Sequence, residues 1–488
     1  MEEHLLSKGA VLKIVTAPRK ALALASILLI CSGAAALAIN ILIHRGGEPL
    51  PVAAASLGCS TAAPLLGCKA PLIKKLKDVT LHGTLIANDK SKGVTWMLDL
   101  DTESFRSIEL PFNTGNHETA VSQDGLKVAV PHYEEVTKKG QNEGGGLASG
   151  KVSIIDIKTG ISSVLASAPN PLGAPKPHDA AWLKDGSLLV TAQLANGFTK
   201  FFPNGSSIAF TMDPSRCNTP HLVRLIPDSN LAVSGCRCTN AGCKGSNGHA
   251  DGAGHMVIFD TDTGEYNSFR SGKNAEGITV TGDGDVWIGS ESPDHSYGFV
   301  QIFSFGGRPK TIHNIKELGQ RDVPSPLRLA WNAEANTVAV ASMDLAGVMA
   351  GDPDVHNRLR IFDAASRRQL KELRVTTARG AVNAEGLGTF ASEGVGYFVT
   401  GGFDTQTIVI LEAATGETVW EIYMPRCSTE KGLCTPTPKT IAEAQKDKET
   451  GSNNWSGGLC PATMRNPFER RWAVMDGFTW SPVRATCV

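Results

Sequence analysis

The stretch "PHDAAWLKDG", residues 177–186, sets a histidine and an aspartate directly ahead of a strand-like run that stops at Asp-Gly. The pattern returns, altered, as "NHETAVSQDG" (116–125), "PHLVRLIPDS" (220–229), "AEGITVTGDG" (275–284), "LRLAWNAEA" (327–335) and "AEGLGTFASE" (384–393). Self-similarity at a period of roughly 40 to 60 residues marks an array of supersecondary units. In the unit opening at 177, "HDAAWLKDG", "SLLVTAQLAN", "GFTKFFPNG" and "SSIAFTMD" read as four strands; the next unit gives "HLVRLIPDS", "NLAVSGC", "GHMVIFDTDTG" and "EYNSFRSG". Short strands, turns rich in Gly, Asp and Asn, and no amphipathic helix before about residue 440 predict an all-β array. Four strands per unit at this period describe a propeller blade.

Six units open near 116, 177, 220, 275, 327 and 384, and a partial one over 77–111 lacks an innermost strand. The apolar stretch "RWAVMDGFTWSPV" (471–483) is a candidate for that strand, and would join the two ends so that no sheet edge stays open. The expectation is a seven-bladed β-propeller over 76–425, closed by a Cys-rich extension over 426–488, with six or eight blades as the alternatives. A helix over 439–448 is compatible with that extension.

On "HETAVSQDG", "IIDIKTG", "GITVTGDGDVWIG", "VIFDTDTG" and "VILEAATGE", within about 77–425, the sequence resembles the superfamily of seven-bladed propellers that includes YVTN-repeat, lactonase-type and streptogramin-lyase-type proteins. That superfamily holds lactonases, lyases, electron-transfer subunits and binding scaffolds. The resemblance therefore implies the architecture and leaves the chemistry to the site.

Residues 21–43, "ALALASILLICSGAAALAINILI", form an uncharged apolar run long enough to cross a bilayer as a helix. Lys8, Lys13, Arg19 and Lys20 precede it and only Arg45 follows closely, which predicts a cytoplasmic N-terminus (1–20), an anchor and a linker (46–75) to a lumenal or extracellular propeller. This is a single-pass type II topology of the secretory pathway or cell surface. The competing reading is a cleaved signal peptide, for which "SGAAALA" offers small residues. Cys31 lies in the apolar run, and the other cysteines fall in even groups: Cys59 and Cys68; Cys217, Cys236, Cys238 and Cys243; Cys427, Cys434, Cys460 and Cys487. Even groups suit disulfides in an oxidising compartment, and the sequons at Asn204 and Asn454 suit a glycoprotein on the same route. With 488 residues, 41% hydrophobic residues and a net charge of −1, the chain can bury a large core and shows no basic stripe for nucleic acid.

In a propeller the residues just ahead of each innermost strand converge on one rim. Here they are His117 and Glu118, His178 and Asp179, His221, Glu276, Arg328 and Glu385. The longest insertions, 132–150, 236–255 and 343–357, leave from the same rim, where a small-molecule site would form. His117, His178 and His221 could ligate a divalent metal ion, with Glu276 and Glu385 as further ligands and Glu118 and Asp179 as ligands or acceptors behind them. Without metal, His117, His178 and His221 could act as general acids and bases, and Arg328 could bind an anionic group. The bland alternative is that polar residues at a blade mouth bond neighbouring blades and water, in a propeller that binds a protein or glycan through its rim loops. His132 and Tyr133 stand within reach of the funnel, His82 and His313 look ordinary, and "DIKTG", "DTDTG" and "EAATG" read as hairpin turns. The Cys236–His255 segment reads as a disulfide-stapled loop in preference to a zinc site. No Walker A, Rossmann, G-x-S-x-G or H-E-x-x-H motif occurs.

Overall fold

The computed structural model describes residues 71–89, 94–110, 116–135, 147–148, 150–165, 176–238, 253–291, 298–342, 358–378, 380–382, 384–402, 407–424, 426–428, 433–435 and 475–481. Seven antiparallel sheets, numbered here as blades, follow one another along the chain. Blade 1 combines Met475–Ser481, Thr84–Asp89, Val94–Asp99 and Phe105–Glu109, in that order from inside to outside. Blade 2 runs from Ala120–Val121 to Ser162–Leu165, blade 3 from Pro177–Trp182 to Ser207–Thr211, and blade 4 from Asn218–Leu225 to Tyr266–Lys273. Blade 5 runs from Ala275–Val280 to Ile315–Asp322, blade 6 from Pro326–Asn332 to Gln369–Arg374, and blade 7 from Ala384–Ser392 to Thr418–Tyr423.

This is a seven-bladed β-propeller, and the C-terminal strand completes its first blade by pairing with Thr84–Asp89. Leu72–Lys75, which the sequence reading put in the linker, is instead a fifth strand along the outer edge of blade 7. The candidate anchor (21–43), the proposed helix (439–448) and most of the rim insertions lie outside the described residues. Among the described residues no helix is long and apolar enough to cross a membrane.

Strand alternation explains why the blades stack. In Lys127–Pro131, Val128 and Val130 enter an apolar cluster with Ile86 and Met97 of blade 1, while Ala129 faces Val190 and Phe201 of blade 3. In blade 3, Leu188 and Val190 face back and Leu189 faces blade 4. Both faces of a blade are thus buried, each against one neighbour, as period-2 side-chain alternation allows. Seven such clusters join consecutive blades, and the one holding Leu85, Trp96, Ile410 and Trp420 closes the ring between blades 7 and 1.

One backbone device recurs where each innermost strand begins. Pairing jumps from Pro177↔Ala192 to Ala180↔Val190, from Pro220↔Cys236 to Val223↔Ser234 and from Ala275↔Ser290 to Ile278↔Ile288, so two residues oppose one. Shifts at the same level occur in blades 6, 7 and 1. In blade 2, three residues lie between Asn116 and Ala120 while two lie between their partners His132 and Ala129. Such bulges re-aim side chains, and in blade 3 the Thr191 hydroxyl accepts from both freed amides, His178 N at 3.1 Å and Asp179 N at 2.9 Å. Glycine is needed opposite the bulge in blades 4 and 5. A Cβ on Gly235 would stand 2.7 Å from the Ala275 carbonyl oxygen, and one on Gly289 would stand 2.6 Å from that of Pro326.

Candidate functional site

The bulges bring His117, His178 and His221, from blades 2, 3 and 4, into one column. Ring centroids are 3.6 Å apart for His117 and His178 and 3.8 Å for His178 and His221, and all three are buried. Glu118, beside His117, completes a group with His117 and His178 whose ligand atoms lie within 4.8 Å of one another. Each of these residues sits at the same register as its counterpart in the next blade, which is why one repeated sequence position becomes one cluster.

Glu276, from the bulge of blade 5, makes a second group. Its Oε2 lies 3.1 Å from His221 Nε2, and its main-chain oxygen accepts from His221 Nδ1 at 2.9 Å. Arg237, at the end of the second strand of blade 4, clamps Glu276 Oε1, and Arg328 stands 3.9 Å from Oε2. Arg328 also reaches Glu118 Oε1 at 3.0 Å. Burying a carboxylate costs several kcal/mol unless it is paired, and the two guanidinium groups provide such pairing for Glu118 and Glu276.

Burial drives the pKa of His178 well below 6.5, and the neighbouring His117, His221, Arg237 and Arg328 push the same way. His221 is also held well below 6.5, first by burial, with Glu276 opposing and Arg237 and Arg328 assisting. His178 and His221 are therefore neutral near pH 7, as metal ligation requires. Among the described residues His178 Nδ1 has no hydrogen-bond partner, although the residue is 2% exposed. For His221, the hydrogen-bond geometry assigns a proton to Nδ1. A neutral ring then carries none on Nε2, which leaves that nitrogen a proton acceptor beside Glu276 Oε2.

The other sequence candidates divide. Glu385 occupies the bulge of blade 7 between Ala384↔Gly402 and Gly386↔Gly401, and its side chain lies outside the described residues. Asp179 is engaged elsewhere: it accepts from Val223 N at 2.8 Å and Arg224 at 2.5 Å, tying blade 3 to blade 4. His132 turns to Ser153 Oγ, 2.6 Å away, and burial lowers its pKa to about 3. Tyr133 does reach the column, 5.2 Å from His117 and 5.4 Å from His178 between ring centroids.

Sequence reasoning missed Arg237 and Lys176. Arg237 lies inside a segment read only as a stapled loop, and a clue was available in its place at the end of a second strand, beside the start of the strand that carries His221. That segment is stapled by the Cys217–Cys236 disulfide, and His255 Nδ1 donates to the Arg216 carbonyl at 2.7 Å. The hairpin readings also fit, since Asp156 and Asp260 side chains accept backbone amides in turns that end at the left-handed Gly160 and Gly264.

Neither a protein-family model nor a curated protein sequence matches this chain. Solved structures with a similar fold include a virginiamycin B lyase from Staphylococcus aureus with quinupristin, at 16% identity over 72% of this chain and 99% of that one, TM-score 0.42. A hydrazine synthase of Kuenenia stuttgartiensis is 12% identical over 68% of this chain and 93% of that one, TM-score 0.49. A dihydro-heme d1 dehydrogenase is 14% identical over 75% and 70%, TM-score 0.43. At such identities the likeness concerns the propeller fold alone.

Proposed function

We propose that this chain is a membrane-anchored propeller enzyme whose funnel acts on a small molecule through a divalent metal ion. His117, Glu118 and His178 would hold the ion. The observation that carries this reading is the imidazole of His178, buried and without a hydrogen-bond partner at Nδ1, set against donor atoms of His117 and Glu118 within 4.8 Å. Two imidazoles and a carboxylate suit zinc or another borderline divalent metal. When bound, such an ion polarises a substrate oxygen or activates water.

The chain's own residues supply the rest. His221, with Glu276 against its ring, can accept a proton from, or return one to, a reacting group, which supports hydrolysis or elimination; a redox-active ion on the same ligands would support oxidation. Arg328 fixes Glu118 and, with Arg237, pairs with Glu276. Glu385 belongs to the same ring of positions. The anchor would be residues 21–43 with the propeller lumenal or extracellular, a placement in keeping with the Cys217–Cys236 disulfide. Glycan addition at the exposed Asn204 would check it, by the mobility shift that a glycosidase removes.

The test is metal per protein by elemental analysis of the purified full-length chain, beside His117→Ala/His178→Ala/His221→Ala. Stoichiometric metal that disappears from a folded triple variant supports the reading. A metal-free wild type sinks the metal centre and leaves either metal-free acid–base catalysis or a scaffold that binds a protein or glycan at its rim.

A further inference from the structure

Beside the histidine column stands a pair of donors contributed by loops rather than by the repeat. Lys176 Nζ lies 4.4 Å from the centroid of the Tyr133 ring and 3.4 Å from its hydroxyl, to which it donates. Tyr133 in turn covers His117 and His178. An ammonium donating to the phenol oxygen leaves the phenol's own O–H to donate, and among the described residues no acceptor takes it. Both side chains are half-buried, next to a cluster whose histidines are buried.

Lys176 is held there by the backbone. It is left-handed, φ 57°, immediately before the bulge that presents His178, and the corresponding residues Thr219, Asn274 and Ser325 are left-handed too, at φ 54°, 49° and 40°. The strained corner is thus common to blades 3 to 6, while among these four residues the ammonium is particular to blade 3.

We propose that Lys176 and Tyr133 form an oxyanion-binding subsite, so that the funnel's substrate is a small molecule with a carboxylate or phosphate group. Two adjacent donors, one of them charged, stabilise negative charge on oxygen more strongly than water does. The assignment of this subsite to a substrate rests on the reading of the funnel as an active site.

The test is calorimetric titration of the full-length protein with oxalate and, separately, with inorganic phosphate, metal content being measured on the same samples. Lys176→Met and Tyr133→Phe are compared with Lys184→Met, which removes a charge from the same blade at its opposite end. Loss of a charged hydrogen bond predicts about tenfold weaker binding in Lys176→Met, with a smaller loss in Tyr133→Phe and less than about twofold in Lys184→Met. Preference for oxalate would assign a planar carboxylate and preference for phosphate a tetrahedral anion, both within the proposal. Binding that is absent from the wild type, unchanged in both subsite variants, or equally weakened by Lys184→Met would overturn it. A metal-free wild type whose anion binding still depends on Lys176 would uphold the subsite and remove the metal; unchanged binding in a protein that holds metal would do the reverse.

Discussion

The two rims of this propeller solve the same backbone problem differently. At the rim opposite the funnel, many of the turns that need a left-handed residue use glycine, as at Gly125, Gly186, Gly205 and Gly284. At the funnel rim the left-handed residues among those described include Lys176, Asn196, Thr219, Asn274 and Ser325, none of them glycine and each costing on the order of 1 kcal/mol relative to a glycine there, whereas the opposite rim mixes its glycines with Asp228, Asn336 and Glu393. The histidines differ in the same sense. His82, at the seam of blades 7 and 1, lies 2.5 Å from Asp101 and 3.1 Å from Glu393, and these carboxylates raise its pKa above 6.5. Burial pushes that of His178 well below it. The opposite rim pairs its histidine with two carboxylates, and the funnel rim holds a buried polar nitrogen in the place where a ligand would go.

The largest expected effect is at the staple of the funnel rim. Replacing both Cys217 and Cys236 by serine should cost about 3 kcal/mol in denaturant unfolding, because the bridge fixes the chain that leads into the strand of His221. A loss below about 1 kcal/mol would mean that other contacts hold that corner.

A pair of glycines sharpens the contrast between rims. Gly289→Ala meets the Pro326 carbonyl oxygen and should cost about 2–3 kcal/mol. Gly205→Ala has no atom within 4 Å of the added Cβ and should lose only about 1 kcal/mol, from its left-handed backbone. Equal losses would show that the close approach of blades 5 and 6 relaxes easily.

Two pH experiments follow. His132 has a folded pKa of about 3 against about 6.5 unfolded, so its contribution is intact above pH 6.5 and is lost as pH falls. Between pH 6.5 and 5 the loss should be about 2 kcal/mol, and His132→Gln should flatten that part of the stability curve. A slope identical to wild type would refute the assignment. His82 has the opposite sign: its raised pKa means a contribution present below pH 6.5 that fades as pH rises through the folded value. Because the site is exposed the effect should be the smallest of the four, seen as a shallower alkaline decline of the melting temperature in His82→Gln.

Much of the architecture was legible because a propeller repeats its pattern. The innermost strands of blades 2 to 7 announce themselves by a polar residue ahead of an apolar run, and the missing strand of blade 1 could be sought at the other end of the chain. His117, His178, His221 and Glu276 were found because one repeated position in consecutive blades must converge. Asp179 shows the limit of that reasoning, since it holds an equivalent position yet bonds Val223 and Arg224 of the next blade. Arg237, Tyr133 and Lys176 are invisible to the repeat: they lie at strand ends and corners whose sequences differ from blade to blade.

What the sequence alone determined is the periodic part. Alternating apolar residues bury both faces of every blade, and turn residues set where each strand stops. Tertiary structure decided the partnerships: that Glu118 joins His117 and His178, that Glu276 belongs to His221 and Arg237, and that Lys176 sits over Tyr133. The physical reason is range. Strand alternation and turn chemistry act between neighbours along the chain, whereas the ionic and ring contacts of the funnel link different strands and mostly different blades, and exist only once the ring has closed.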